Sequence, residues 1–230
     1  MKSLEINIAK LYERIANATE KAGRATDSVK LLAVSKTRCV EDIAAAHALG
    51  LNSFGENYLQ EALEKIAALT HLSLDWHFIG ALQSNKTRDV AHNFSWLHTL
   101  DRFKIAQRLS DQRPAELPPL QCCIQVNVDR EQQKSGIFPE QVEPLIEQVL
   151  DLPHLQLRGL MAIPQAHKPP DQQRQSFAKL AVLLRQLQLR FPNQRLDTLS
   201  MGMSDDLEQA IAEGATIVRI GTALFGPREK

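Results

Sequence analysis

At 230 residues, with 27 basic and 27 acidic side chains and no net charge, the chain is long enough to bury a sizeable core as one domain, residues 1–230, and too short for two full ones. The balanced charge excludes the electrostatic footprint of a nucleic-acid or acidic-membrane binder, so the expected partner is small. Three cysteines, Cys39, Cys122 and Cys123, make neither an even disulfide framework nor a CxxC pair, which points to a reducing cytoplasm.

The chain opens with Leu4, Ile8, Leu11 and Ile15 at helical spacing among charges. That is an amphipathic helix, and neither a signal peptide nor a membrane span. No other segment reaches the roughly 18 apolar residues of a membrane helix, so a soluble protein is expected. Short β-like runs follow at KLLAVSK (30–36), LNSFGENY (51–58), LDWHFIG (74–80), FSWLHTL (94–100), LQCCIQVNV (120–128), LQLRGLMAIP (155–164), RLDTLSMGMS (195–204) and TIVRIGTALFG (216–226). Between them lie stretches of helical composition such as VEDIAAAHALG, EALEKIAAL, FPEQVEPLIEQVL and DDLEQAIAEG, and a long helix from about Gln172 to Phe191 whose Leu and Val stripe packs on the sheet. Eight strands alternating with helices predict an α/β TIM (β/α)8 barrel with an extra N-terminal helix. The runner-up, an open doubly wound sheet, lacks a GxGxxG after its first strand.

An internal echo fits repetition: Glu41 to Gly55 and Asp206 to Gly221 both run helix, glycine stop, strand and terminal glycine. The proline-bearing stretches RPAELPP (113–119) and HKPPD (167–171) read as connections within the barrel, being too short for domain linkers. The adjacent Cys122 and Cys123, on a strand, point to opposite faces.

The first strand run ends on an amine, Lys36, where a hydrophobe or a turn residue belongs. Stripping an ammonium of water is costly unless partners or a lowered pKa offset it. Two readings stay open at this point: a lysine that snorkels its charge to the surface, or an amine nucleophile of the kind that condenses with a carbonyl. Barrel chemistry sits at the C-terminal ends of strands, where Lys36 is placed. Barrel closure makes the eighth strand its neighbour and brings Arg219 of RIGT alongside, a cation that favours the neutral amine.

Strands seven and eight end in SMGMS (200–204) and GTALFG (221–226), small-residue turns where TIM barrels commonly bind phosphate. Glycines admit backbone N–H groups to an anion, and Ser200 and Thr222 offer hydroxyls. On the second strand, alternation puts Ser53, Gly55 and Asn57 on one face and Phe54, Glu56 and Tyr58 on the other, so Asn57 is a candidate ligand partner.

LLAVSKT, FGENYLQE, WHFIGALQSNK, GLMAIP and LSMGMSDDLEQAIAEGATIVRIGTALFG, in that order and over nearly the full length, resemble the pyridoxal-phosphate homeostasis protein family, whose members are similar to the barrel domain of alanine racemase. The resemblance implies pyridoxal 5'-phosphate held as a Schiff base on Lys36. It implies phosphate contacts at Ser200, Gly202, Gly221 and Thr222, Arg219 at the pyridine nitrogen, and Asn57 lining the ring. It further implies a role in intracellular vitamin B6 homeostasis, with pyridoxal phosphate, related B6 vitamers and recipient apoenzymes as partners and without classical catalysis. Arg219 against the pyridine nitrogen disfavours its protonation and weakens the ring as an electron sink, which suits a carrier.

Two enzymatic readings compete: a racemase or decarboxylase of amino acids, and a class I aldolase acting through Lys36. Racemisation needs an acid/base on each face of the substrate; the chain's two tyrosines are Tyr12, on the first helix, and Tyr58, on the face opposite Asn57. A monomer is expected because no large extra apolar segment stands out. No HExxH or HxH is present, so His77 reads as a packed strand residue and no metal is expected. Trp76 and Trp96 read as core or rim aromatics, Ser204 to Asp206 as a helix N-cap with first-turn acids, and QSNKTR (83–88) as an exposed basic helix start.

Overall fold

In the computed structural model, which describes residues 2–164 and 169–227, eight parallel strands pair in chain order and close into a barrel. They are β1 (Lys30–Val34), β2 (Ser53–Glu56), β3 (Asp75–Phe78), β4 (Trp96–Leu100), β5 (Leu120–Gln125), β6 (Leu155–Met161), β7 (Thr198–Ser200) and β8 (Ile217–Ile220). Each lies inside one of the eight β-like runs of the sequence. The observed strands are shorter because the apolar composition continues into the turns at the C-terminal mouth. The seam closes with Leu32 opposite Arg219 and Ala33 opposite Ile220.

The helices are α1 (Lys2–Lys21), α2 (Val40–Ala48), α3 (Leu59–Ala68), α4 (Thr87–Asn93), α5 (Phe103–Gln112), α6 (Val142–Val149), α7 (Pro170–Arg190), α8 (Leu207–Ala212) and α9 (Thr222–Phe225). The N-terminal α1 buries Ile8, Leu11, Ile15 and Ala18 and packs against α8 and α9. No described helix is long and apolar enough to cross a membrane. The HKPPD connection begins at His167 and Lys168, outside the described residues; its Pro170 and Asp171 open α7. The RPAELPP connection is fastened by Arg113, which donates to the carbonyls of Ala91, Phe94 and Pro118 and so satisfies the end of α4.

Strand alternation divides the core into two layers. Leu31, Ala33, Phe54, Phe78, Leu97, Cys122 and Val218 face the helices. Leu32, Ile79, Trp96, Cys123, Met161 and Ile217 fill the barrel interior. Neighbouring residues thus go opposite ways, including the cysteine pair, whose thiols are both pushed up by burial. Trp76 and Trp96 are both buried, Trp96 stacked on His77 with ring centroids 5.3 Å apart. QSNKTR does begin a helix, but Thr87 is fully buried, its hydroxyl 2.7 Å from Gln112 Oε1 and 3.1 Å from Ser84 O.

Gly80, just past β3, sits so close to β2 that an added Cβ would lie 2.0 Å from Asn57 O. Backbone cannot yield as a flexible side chain can, so Gly80→Ala is expected to lower the unfolding free energy by about 1–3 kcal/mol, read from urea denaturation. An unchanged midpoint would mean that the two strand ends separate freely.

Candidate functional site

Lys36 lies two residues beyond β1, in a tight turn closed by Arg38 N–H donating to Ser35 O at 3.0 Å. Lys36 and Thr37 are its central residues, and Thr37 has φ 63°, a left-handed conformation that a β-branched residue rarely adopts. The sequence therefore misplaces the amine by one element: it is carried by a turn, not by the last residue of a strand. Two outside contacts hold that turn, Thr37 N–H donating to Glu61 Oε1 and Lys65 Nζ donating to Ser35 O.

Lys36 lines a cavity of about 510 Å³ at the C-terminal mouth of the barrel. Its wall combines apolar Val34, Ile79 and Ile163 with Asn57, Arg219, Gly221, Thr222, Ser204 and Arg14. Three cations, Lys36, Arg219 and Arg14, converge there against one lining carboxylate, Asp205, so the cavity favours an anion. Arg14 reaches the rim from α1, paired with Glu208 at 2.7 Å and donating to Ser204 O at 3.0 Å. Asn57 Oδ1 is buried there with no hydrogen-bond partner among the described residues. An unsatisfied acceptor in a cavity wall costs free energy until a ligand donates to it.

Arg219 enters the cavity from inside the barrel and is 5% exposed. Its Nη1 donates to Ser200 O at 2.6 Å and to Ser200 Oγ at 2.8 Å, and its Nη2 to Ala162 O at 3.0 Å. Burial lowers its pKa to about 10, still well above neutrality, so the guanidinium stays charged. From here a polar column runs back through the interior. Ser200 Oγ lies 2.7 Å from His98 Nδ1, His98 Nε2 lies 2.8 Å from His77 Nδ1, and His77 Nε2 lies 3.0 Å from Asp75 Oδ2, which also accepts from Lys30 Nζ at 2.7 Å.

The donors in this column follow from one end. Arginine can only donate, so the Ser200 hydroxyl accepts from it and passes its own hydrogen to His98 Nδ1. His98 then carries its proton on Nε2 and donates to His77 Nδ1, and His77 carries its proton on Nε2, facing the Asp75 carboxylate. Both imidazoles are neutral in this arrangement, and burial does hold both below the ordinary histidine pKa. Burial acts on Asp75 in the raising direction but is outweighed by His77 and Lys30, which hold its carboxyl well below the usual range.

Of the residues singled out from sequence, Lys36, Asn57, Arg219, Gly221 and Thr222 share the cavity wall, while Ser200 and Gly202 stand behind it. Ser200 is fully buried and its hydroxyl is committed to Arg219 and His98. The serine on the wall is Ser204, whose Oγ accepts from Ala223 N–H. Gly202 has φ 93°, and a Cβ there would meet the Ala210 Cβ at 2.6 Å, so it lets the turn after β7 pack on α8. Asp206 does precede α8, but its Oδ1 reaches back to Met203 N–H at 2.6 Å instead of capping the helix. His77 is packed, as its strand position implies, and no group of metal-binding side chains occurs among the described residues. The roles of Arg14, Ser204 and His98 are not visible in sequence, since each depends on which distant elements meet.

A family model described as alanine racemase, N-terminal domain, matches residues 6–229. The chain is 58% identical over 229 residues to the pyridoxal phosphate homeostasis protein of Pseudomonas aeruginosa, covering 100% of this chain and 97% of that protein. It is 49% identical over 232 residues to the one from Escherichia coli K12, covering 100% and 98%. Among solved structures, PipY of Synechococcus elongatus with pyridoxal phosphate bound has a TM-score of 0.82 at 37% identity, covering 92% of this chain and 100% of that one. Alanine racemase from Corynebacterium glutamicum shares the fold, with a TM-score of 0.68 at 16% identity over 100% of this chain and 62% of that one.

The buried histidines impose a pH dependence. An unfolded histidine takes up its proton near pH 6.5, as about the ordinary value, whereas these two are held lower in the fold. Below that pH the unfolded chain binds more protons, so stability is fully present above it and falls as the pH drops. Each histidine contributes a slope of up to about 1.4 kcal/mol per pH unit. His98→Gln keeps a donor and an acceptor but cannot titrate. Urea denaturation between about pH 6.5 and pH 4.5 should therefore show a slope lower by about 1.4 kcal/mol per unit for this variant. An unaltered slope would mean that His98 is protonated in the native state too.

Proposed function

Because the chain belongs to the pyridoxal phosphate homeostasis protein family, we propose that it holds pyridoxal 5'-phosphate in the cavity at the C-terminal mouth of the barrel, as a Schiff base on Lys36. In this reading it serves B6 homeostasis as a monomeric carrier in the cytoplasm, exchanging the cofactor with B6 vitamer pools and recipient apoenzymes, and it is not an enzyme. The observation that carries the proposal is the convergence of a lysine, a residue with a buried unsatisfied acceptor, a guanidinium and a hydroxyl-bearing turn on one cavity, Lys36, Asn57, Arg219 and Thr222 among its walls.

The residues present fit the group. Gly221 and Thr222 at the end of β8, with Ser204 after β7, supply the small turns and hydroxyls that suit a phosphate at this end of a TIM barrel. Ser200 and Gly202 contribute from behind: Ser200 fixes Arg219, and Gly202 lets the loop fold over α8. The chemistry the cofactor supplies is an aldehyde, electrophilic at carbon. Lys36 supplies the amine, in the same wall as Arg219. At a pyridine nitrogen the Arg219 charge would disfavour a proton, and the guanidinium that carries it is held by three contacts to carbonyl and hydroxyl oxygens, with Asp206 acting on it only through space. A racemase would need a second acid/base in the cavity. Tyr12 is on α1 and Tyr58 is 55% exposed at the start of α3, and neither lines the wall.

Purified protein incubated with pyridoxal 5'-phosphate is expected to absorb in the visible, to lose that band on borohydride reduction, and to carry the reduced adduct on Lys36 in peptide maps. Lys36→Ala should lose the band. An adduct on another lysine, with Lys36 unmodified, would overturn the proposal. Thr222→Val should weaken pyridoxal 5'-phosphate about ten- to a hundredfold, the loss of one charge-assisted hydrogen bond, and weaken pyridoxal far less. Equal losses for both would place Thr222 in the fold and not in the phosphate site.

A further inference from the structure

The backbone around Lys36 is fastened on both sides by one helix. The peptide group before Lys36 offers Ser35 O to Lys65 Nζ at 2.7 Å, and the peptide group after it donates Thr37 N–H to Glu61 Oε1. Glu61 and Lys65 are one turn apart on α3 and are themselves ion-paired. Lys65 is 4% exposed, and its three N–H donors go to Ser35 O, Glu56 Oε1 and Glu61 Oε1, which uses all that an ammonium has. Glu56, fully buried on β2, also accepts from Ser35 Oγ at 2.6 Å. These contacts bracket Lys36, the residue of the turn that lines the cavity, and Thr37 is kept at a left-handed φ of 63° that threonine does not choose unaided.

A buried ion pair that only cemented α3 to the sheet could bond any strand carbonyl; this one takes the two peptide groups that set the direction of the Lys36 Cα–Cβ bond. We infer that Glu61 and Lys65 are positioning residues for the Lys36 amine: they clamp the peptide planes on either side of it and aim the side chain into the cavity. The inference rests on the reading of Lys36 as the attachment residue. The clamp forms and breaks no covalent bond. It sets how often the amine faces an incoming aldehyde, and it leaves the phosphate end of the cavity untouched.

Glu61 gives the cleanest test, because its side chain is 29% exposed and its replacement leaves the barrel interior intact. Glu61→Ala removes the acceptor from Thr37 N–H, whereas Glu61→Gln retains a carbonyl oxygen for it. Three measurements are made on both variants and on Lys65→Met: the rate of borohydride-trappable attachment of pyridoxal 5'-phosphate, the affinity for pyridoxamine 5'-phosphate, and the rate of reductive methylation of Lys36 in the cofactor-free chain. Pyridoxamine 5'-phosphate has no aldehyde, so it reports the phosphate end alone. Glu61→Ala should slow trapping about ten- to a hundredfold, the penalty of a misplaced reacting group. Its Lys36 methylation rate should rise towards that of exposed Lys104, its pyridoxamine 5'-phosphate affinity should hold, and Glu61→Gln should stay near the native rates. Native trapping and methylation rates in Glu61→Ala would overturn the clamp, and so would loss of pyridoxamine 5'-phosphate by the same factor as trapping. A native chain with no attachment at Lys36 would sink the reading of Lys36 itself, while the methylation rates would still decide whether Glu61 and Lys65 position it.

Discussion

A guanidinium buried inside a barrel has to be supplied with acceptors, and much of the interior of this protein follows from supplying them to Arg219. An isolated buried charge costs several kcal/mol, so carbonyls of β7 and of the segment after β6 turn inward towards it, and Ser200 adds its hydroxyl. The hydroxyl must then dispose of its own hydrogen, which calls for His98. His98 in turn calls for His77, and His77 for Asp75 and Lys30 at the opposite mouth. The polar column is thus a consequence of one cation. Its members come from six different positions on five strands, β1, β3, β4, β7 and β8, so the column also ties the barrel's register together. Trp96 and Cys123 fill the remaining volume around it, which keeps the dielectric low and the hydrogen bonds strong.

The C-terminal mouth uses charge differently. There the amine that matters is on a turn, and its support comes from outside the barrel, through α3. The two systems meet at the cavity from opposite sides: Arg219 arrives from the interior with three of its hydrogen bonds made to Ser200 and Ala162, and Lys36 arrives from the rim with its backbone fastened on both flanks. A ligand bound between them meets a guanidinium held from the barrel interior and a side chain whose backbone is held by α3.

How much of this was legible in the sequence depends on whether the signal was local. Alternation along LNSFGENY correctly put Gly55 and Asn57 on the inner side: a Cβ on Gly55 would meet Leu32 and Ile79, and Asn57 lines the cavity. The opposite orientations of Cys122 and Cys123 were legible for the same reason. That Lys36 and Arg219 reach one cavity followed from barrel closure, which makes β8 the neighbour of β1, a topological inference that needs only the strand count. Ser200 and Ser204 show where such reasoning stops. Ser200 closes β7 and Ser204 lies four residues on, and only the three-dimensional path of the chain puts the second on the wall and the first beneath Arg219. His98, Glu61 and Lys65 carried no local mark, since a histidine on an apolar strand and an i, i+4 ion pair on a helix are ordinary features until their long-range partners are known.

The energetic balance at the Lys36 turn explains why so strained a conformation persists. Holding a residue such as Thr37 in a sparsely populated backbone region costs of order 1–3 kcal/mol, and relaxing it would withdraw Thr37 N–H from Glu61. Glu61 shares its oxygen with Lys65, and Lys65 is almost wholly buried, so a disturbance of one contact spreads to the others. A hydrogen bond to a charged group is worth about 1.5–3 kcal/mol, so losing it cancels what the relaxation would return. The turn is therefore held in its strain by α3. The same linkage makes the arrangement specific: the strand end, the turn and the helix share one set of hydrogen bonds, and that set has its lowest free energy with Lys36 facing the cavity.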